Sequence, residues 1–137
     1  MTFVKDTTVT VIPTMLYRDA ATAIEWLCDT FGFKKHAVYQ EDNGTVVHAE
    51  LTFGNGMVML GTAGERDFCK LQKTPGELGG TTQSAYIIVT DPDALHDRVV
   101  KAGAEIVMPL ADKPYGRDFS CRDLEGHLWN FGTYDPW

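Results

Sequence analysis

Apolar and polar positions alternate in two characteristic ways along the chain, and the two ways follow one another in a fixed order. From Val9 to Tyr17 β-branched and apolar residues dominate, as in a strand. Asp19 follows where a helix N-cap belongs, and AATAIEWLCDTFGF then places Ala23, Ile24, Leu27 and Phe31 at helical spacing. Gly32 stands where a C-terminal glycine stop is expected. Three strand-like runs come next, over residues 33–41, 45–53 and 57–62. The order then recurs. SAYIIVT, from Ser84, reads as a short strand, and Asp91 or Asp93 can cap a second helix. DALHDRVVKAGAE carries Leu95, Val99 and Ala102 on one side, with Gly103 as its stop. Runs at about 104–110, 115–122 and 127–133 complete the second set. From Asp19 to Gly32 is 13 positions and from Asp91 to Gly103 is 12, so strand, cap, helix and stop repeat at nearly constant length.

The pattern is βαβββ twice. It predicts an α+β protein of two tandem modules, with helices on one face of mainly antiparallel sheet. The modules are placed at 1–63 and 84–137, packed as one compact structural unit, with 64–83 connecting them. About twenty residues is long for a structureless loop, so this segment is expected to carry a helical turn, cross between modules or form a lid.

Asn55-Gly56 is a hairpin signal, because a type I′ turn needs two positive φ angles. A two-residue loop there pairs Gly54 with Met57, Phe53 with Val58 and Thr52 with Met59. Side chains alternate between faces. One face then carries Val47, Ala49, Leu51, Phe53, Val58 and Leu60, all apolar, and is expected against the first helix. The other carries His48, Glu50, Thr52, Met57 and Met59. Periodicity alone reads that second face equally as solvated surface or as the wall of a binding groove.

Composition narrows the field. With 137 residues, 44% of them hydrophobic, the chain can bury a core and is not a disordered segment. No apolar run approaches the roughly 18 residues needed to cross a bilayer. The opening MTFVKDTTVTVIP lacks an apolar signal core, which leads to the expectation of a cytoplasmic protein. Three separated cysteines, Cys28, Cys69 and Cys121, suggest reduced thiols rather than a disulfide framework or a zinc knuckle. Twelve Lys and Arg against nineteen Asp and Glu leave a net charge of −7, which repels phosphate backbones and argues against nucleic acid. The same charge favours a cationic small ligand, and it also serves solubility.

Several segments together resemble a known family. PTMLYRDAATAIEWLCDTFGF (13–33), HAELTFGNGMVML (48–60), VTDPDALHDRVVKAGA (89–104) and PYGRDFSCRDLEGHLWNF (114–131) are similar to the vicinal oxygen chelate superfamily. This is the superfamily of glyoxalases, bleomycin resistance proteins and extradiol dioxygenases. HAELTFGNGMVML looks like its phosphonate-operon-associated, glyoxalase-like branch. The resemblance covers nearly the whole chain and rests on the order and spacing of the segments. It implies a cupped sheet whose inner face holds a ligand, with helices outside, and commonly a homodimer.

The resemblance also implies where a metal would sit. Metal-using members carry His, Gln or Glu on the first and last strand of each module, positions that fall here at Ile12, Met59, Ser84 and Asn130. Ile12 has no donor atom, Met59 has only a soft thioether, and Ser84 and Asn130 are weak neutral ligands. A one-residue slip brings in Pro13, Val11, Val58, Leu60, Trp129 or Phe131, which are no better. Only at the start of module two would a slip leave a choice, among Ser84, Gln83 and Ala85. No metal and no cofactor are therefore expected, and metal-dependent isomerase or dioxygenase chemistry does not carry over.

His48 and Glu50, two apart on one strand, read three ways: a general base with its orienting partner, two ligands of a non-standard metal site lacking a third, or a hydrogen-bonded pair that shapes a pocket. Tyr86 and Asn130 are expected in the second half of the groove, and Tyr115 and Arg117 at its mouth, with Arg117 equally able to pair Asp118 or Asp123. Met57 and Met59 suit loose recognition of an apolar ligand. Trp129 and Phe131 fall on the core side by parity, and Trp26 on a helix flank. His36, His96 and His127 show no partner. The sequence thus points to a protein that binds a small aromatic or cationic molecule, in the manner of drug-sequestering members, with a glyoxalase-type lyase or isomerase as the alternative.

Overall fold

The computed structural model describes residues 3–137. They form two compact units that divide between Thr74 and Pro75, inside the connecting segment.

In the first unit β1 (Thr14–Tyr17) leads into α1 (Ala20–Phe31), followed by β2 (Lys34–Gln40), β3 (Val46–Phe53) and β4 (Gly56–Thr62). The strand order is β1-β4-β3-β2, with β1 parallel to β4 and the other pairs antiparallel. Helix α1 starts where its cap dictates. The Asp19 carboxylate accepts from the Thr22 N–H at 3.1 Å and from the Thr22 hydroxyl at 2.7 Å. It stops at Gly32, whose φ of 91° is left-handed and open to glycine without a Cβ penalty. Ala23, Ile24, Leu27 and Phe31 are buried, as their spacing predicts, and the apolar row Ala49, Leu51, Val58 and Leu60 is buried with them. Trp26 is half-buried, edge-on to Phe31 at 5.1 Å.

The β3–β4 hairpin turns one residue earlier than the sequence suggests. Phe53 pairs with Gly56, Thr52 with Met57, Leu51 with Val58 and Glu50 with Met59. The loop is therefore Gly54-Asn55. Gly54 has φ +57° and Asn55 a negative φ, so a glycine at the first loop position makes a type II′ pattern in place of type I′. The strand partners shift by two residues relative to the expected pairing. Two is an even number, so every side chain keeps its expected face.

Two bulges interrupt the β2–β3 ladder. Lys35 faces Leu51 and Ala37 faces Glu50, which leaves His36 as an extra residue on β2. Tyr39 faces His48 and Gln40 faces Val46, which leaves Val47 as an extra residue on β3. The second bulge corrects the alternation: Val46 is buried, and Val47, expected on the buried row, is only half-buried. Phe53 is also half-buried, with its ring 5.5 Å from that of Phe33. The connecting segment holds a 3₁₀ turn at Asp67–Lys70, and the short α2 (Pro75–Leu78) opens the second unit.

In the second unit α2 is followed by β5 (Ala85–Ile88), α3 (Pro92–Lys101), β6 (Glu105–Lys113), β7 (Gly116–Arg122) and β8 (Leu128–Gly132), in sheet order β5-β8-β7-β6. The topology repeats that of the first sheet. Of the two candidate caps Asp91 is the one used, accepting from the Ala94 N–H at 3.0 Å. Leu95 and Val99 are buried, whereas Ala102 is exposed because α3 ends at Lys101 and Ala102 is already its C-cap. Phe119, Cys121, Trp129 and Phe131 are fully buried. The Asp-x-x-Gly-His-x-Trp turn closes on Asp123, which accepts from the N–H groups of Glu125 and His127 and from Trp129 Nε1 at 3.0 Å. Among the described residues no helix is long and apolar enough to cross a membrane.

Candidate functional site

The polar row of the first sheet lies on the face opposite the buried row, where the sequence places it. His48 and Glu50 lie on that face of β3, and Met59 stands opposite Glu50 on β4. Thr52 and Met57 form the next pair toward the turn. Thr14 of β1 pairs with Met59, so three strands contribute to one surface. A cleft of about 370 Å³ opens here, and Thr14, Leu16, His48, Met59, Arg66 and Phe68 are among its lining residues. Thr52 and Met57 share the face without lining the cleft.

His48 Nε2 and Glu50 Oε2 are 2.9 Å apart. A carboxylate only accepts, so the proton lies on Nε2 and His48 donates. Glu50 thereby fixes the imidazole tautomer and orientation, and Nδ1 is the nitrogen left with a lone pair when the ring is neutral. Tyr39 stacks on the His48 ring at a centroid distance of 5.9 Å. His36, without a partner in the sequence reading, is brought to 3.9 Å from Glu50 Oε1. His36 is two residues on from Lys34, which pairs with Thr52, so alternation along β2 carries it to the face of Glu50, and the bulge then sets Ala37 opposite Glu50 as well. Nothing local in β2 says which strand it pairs with or in what register, so neither His36 nor Tyr39 stands out in the sequence.

Arg66 carries no signal in the sequence either, since nothing in the connecting segment sets it apart. Its guanidinium donates to Val47 O at 2.8 Å and to Thr62 O at 2.7 Å, and Nη2 lies 3.4 Å from Cys69 Sγ. It ties the start of the connecting segment to the bulged part of β3. Gly61 completes this clamp, because a Cβ there would stand 2.5 Å from the same Val47 carbonyl.

In the second unit the predicted residues are more occupied with one another. The Asn130 amide donates to Ser84 Oγ at 2.8 Å and to Ala85 O at 3.0 Å, and its Oδ1 accepts from Ser120 Oγ at 2.6 Å. Tyr86 is partly exposed, and its hydroxyl donates to Tyr134 O at 2.8 Å. Burial, and after it the Asp118 carboxylate, push the Tyr86 phenol above its ordinary range. Tyr115 is exposed and packs edge-on to Tyr134 at 5.8 Å. Arg117 pairs with neither Asp118 nor Asp123. It bonds Asp93 at 2.7 Å and Asp112 at 3.2 Å, and those bonds, Asp93 first, hold it cationic well above its ordinary range. Asp118 is taken by Lys113 at 2.9 Å, and Asp123 is used inside its own turn. His96 lies edge-on to Phe119 at 5.1 Å.

The donor set can be set against a metal. Asn130 pairs with Tyr86 and Ser120, as Met59 pairs with Thr14 and Glu50, so Met59 and Asn130 occupy equivalent rungs of the two sheets. Ile12 precedes β1 and has no donor. Ser84 and Asn130 are already bonded to each other. These residues do not fit a divalent cation at the four expected positions. Among the described residues no group of three or more His, Cys, Asp or Glu side chains is arranged to hold a metal ion.

Comparison with known proteins places this architecture. An uncharacterized protein of Mycobacterium bovis is 31% identical over 121 residues, which cover 88% of this chain and 80% of the relative. The crystal structure of TioX from Micromonospora sp. ML1 is similar at a TM-score of 0.74 and 36% identity, over 93% of this chain and 99% of that one. The fosfomycin resistance protein FosX from Listeria monocytogenes, solved in complex with Mn(II) and sulfate, shares the fold at a TM-score of 0.67 and 14% identity, over 93% and 91% of the two chains. Residues 10–131 match the family described as the Glyoxalase/Bleomycin resistance protein/Dioxygenase superfamily. The repeated βαβββ topology and this match agree, and the chain belongs to the glyoxalase/bleomycin resistance protein/dioxygenase superfamily.

Proposed function

We propose that this chain is a small-molecule-binding protein of the drug-sequestering kind, using the polar face of its first sheet without a resident metal. The observation that carries the reading is the chemistry at the four positions where metal-using relatives hold their ligands. Ile12, Met59, Ser84 and Asn130 form a set with no strong hard donor, and Asn130 and Ser84 bond each other. What remains is a cleft lined by a thioether, an aromatic ring and a histidine held by Glu50, features that bind and orient a ligand. A cytoplasmic setting and a homodimer belong to the same proposal. Each sheet has two outer strands, β1 and β2 in one and β5 and β6 in the other, and an outer strand favours a partner that pairs with it.

Elemental analysis and a thermal-shift screen on the purified protein test the reading together. The expected result is substoichiometric metal and a raised melting temperature with aromatic or cationic natural products. Stoichiometric manganese, nickel, zinc or iron would overturn it.

A second reading is favoured by one observation, the 2.9 Å bond between His48 and Glu50. A carboxylate that fixes a histidine tautomer is also how a general base is prepared, and His48 Nδ1 could take a proton from a carbon acid in a lyase or isomerase reaction. Turnover of an α-ketoaldehyde adduct that disappears in His48→Gln would select this reading over sequestration.

A further inference from the structure

We propose that Glu50 Oε1 and the ring of Tyr39 recognise the ammonium group of an organic cation whose apolar body lies in the neighbouring cleft. This rests on the binding reading above and names the ligand class for the same site. Three observations lead to it. The first is the state of Glu50. Its Oε2 accepts from His48, while Oε1 has no hydrogen-bond donor among the described residues, its nearest partner being His36 Nε2 at 3.9 Å. No Lys or Arg among them pairs with Glu50. The carboxylate is partly exposed, at 24% of its side-chain area, so a ligand can reach its open oxygen. An acceptor-only group in that condition gains most from a charged N–H donor.

The second observation is an aromatic ring on the same face, two residues along β2 from Ala37, the partner of Glu50. Tyr39 lies across from His48 in the β2–β3 ladder, stacks on its imidazole and remains 57% exposed. An exposed aromatic ring near a carboxylate offers a cation both a π-face and a counter-charge. The third is the surroundings. Met59, opposite Glu50, and Phe68 are apolar walls of the cleft, which suits the body of an organic cation rather than a hydrated inorganic one. The net charge of −7 draws cations toward the protein at long range.

His36 stands on the same face of the sheet, with Nε2 3.9 Å from Glu50 Oε1. It supplies the polar limit on the outer side of the site. His36 is thus a positioning residue, and Glu50 and Tyr39 are the ones that would touch the cation.

The test uses the intact chain and two matched probes, phenethylammonium and its neutral counterpart phenethyl alcohol. Binding is followed by NMR shifts of the His48 ring and the Met59 methyl group. The expected result is that the ammonium binds about five- to tenfold more tightly than the alcohol, the scale of one ion pair with one cation–π contact. Glu50→Gln, close to isosteric, should cut the preference to about two- to threefold, the share left to the Tyr39 ring, with the alcohol measured in the same variant as the reference. Tyr39→Leu, which keeps the carboxylate, should reduce the preference several-fold. Equal affinity of the two probes for the unaltered protein, with both shifting His48 and Met59, would overturn the ammonium assignment and leave the cleft as a binding site. A preference undiminished by Glu50→Gln would overturn it too. If neither probe shifts His48 or Met59 at any concentration, the cleft itself fails as the ligand face, and the wider proposal falls with this one.

Discussion

Glu50 and Leu51 are neighbours in the chain with opposite surroundings, and single substitutions separate their roles. Leu51 is fully buried in the first unit, so Leu51→Ala should cost roughly 2–5 kcal/mol of stability in denaturant unfolding. Glu50 is partly exposed on the other face, so Glu50→Leu should change ligand affinity far more than stability. Tyr86→Ala is expected to behave in the same way, with loss of the hydroxyl bond to Tyr134 O as the structural component. An unfolded Glu50→Leu variant beside a harmless Leu51→Ala would invert the faces and the candidate site with them. Cys121 gives a pH dependence. Burial, with a smaller contribution from Asp123, pushes its thiol up to about 12 from the ordinary 9.0. The folded state therefore keeps a proton that the unfolded state releases, and stability present below pH 9.0 is lost as pH rises toward 12. Chemical unfolding across this alkaline window should show the fall, and Cys121→Ala should make the curve shallower.

At the scale of elements, the bulged β3 and its clamp hold the candidate site in place. Gly61→Ala would push a methyl group against the Val47 carbonyl, which is backbone and is already gripped by Arg66. We expect a loss of about 1–3 kcal/mol, as for other overpacked positions, together with a shift of the His48 NMR signals, because Val47 and His48 are adjacent. Gly54→Ala is the control. It meets nothing within 4 Å, so its effect should be confined to the strain of a φ of +57° and should leave the His48 signals unmoved. The helices were legible in the sequence for a plain reason. Asp19 with Gly32 and Asp91 with Gly103 are local signals, and Ala23, Ile24, Leu27 and Phe31 repeat at a period that only a helix satisfies. The hairpin partners are less legible, since both Gly54-Asn55 and Asn55-Gly56 are acceptable turn pairs. Choosing between them depends on the fit of two whole strands.

For the whole molecule the expectation is a dimer. Light scattering at micromolar concentration should give about twice the 15.2 kDa of the chain, and a mass near 15.2 kDa would count against it. The acidic charge of the chain sets a second whole-molecule property, its long-range preference for cations, which should weaken as added salt screens it.

By itself the sequence determined the repeated βαβββ order, the capped helices and the face on which His48, Glu50, Thr52, Met57 and Met59 lie. Each of these follows from local signals and a period of two or 3.6, and an even slip in register leaves the faces unchanged. It also determined that the expected metal positions hold poor donors, which is a matter of residue type alone. Only the tertiary structure decided which polar side chains meet. His36 comes to 3.9 Å from Glu50 across the β2–β3 ladder, Arg66 grips Val47 across 19 positions of chain, and Arg117 turns to Asp93 and Asp112. These meetings depend on where strands from distant parts of the chain come to rest and on which of several nearby acceptors lies in reach. No local periodicity encodes that.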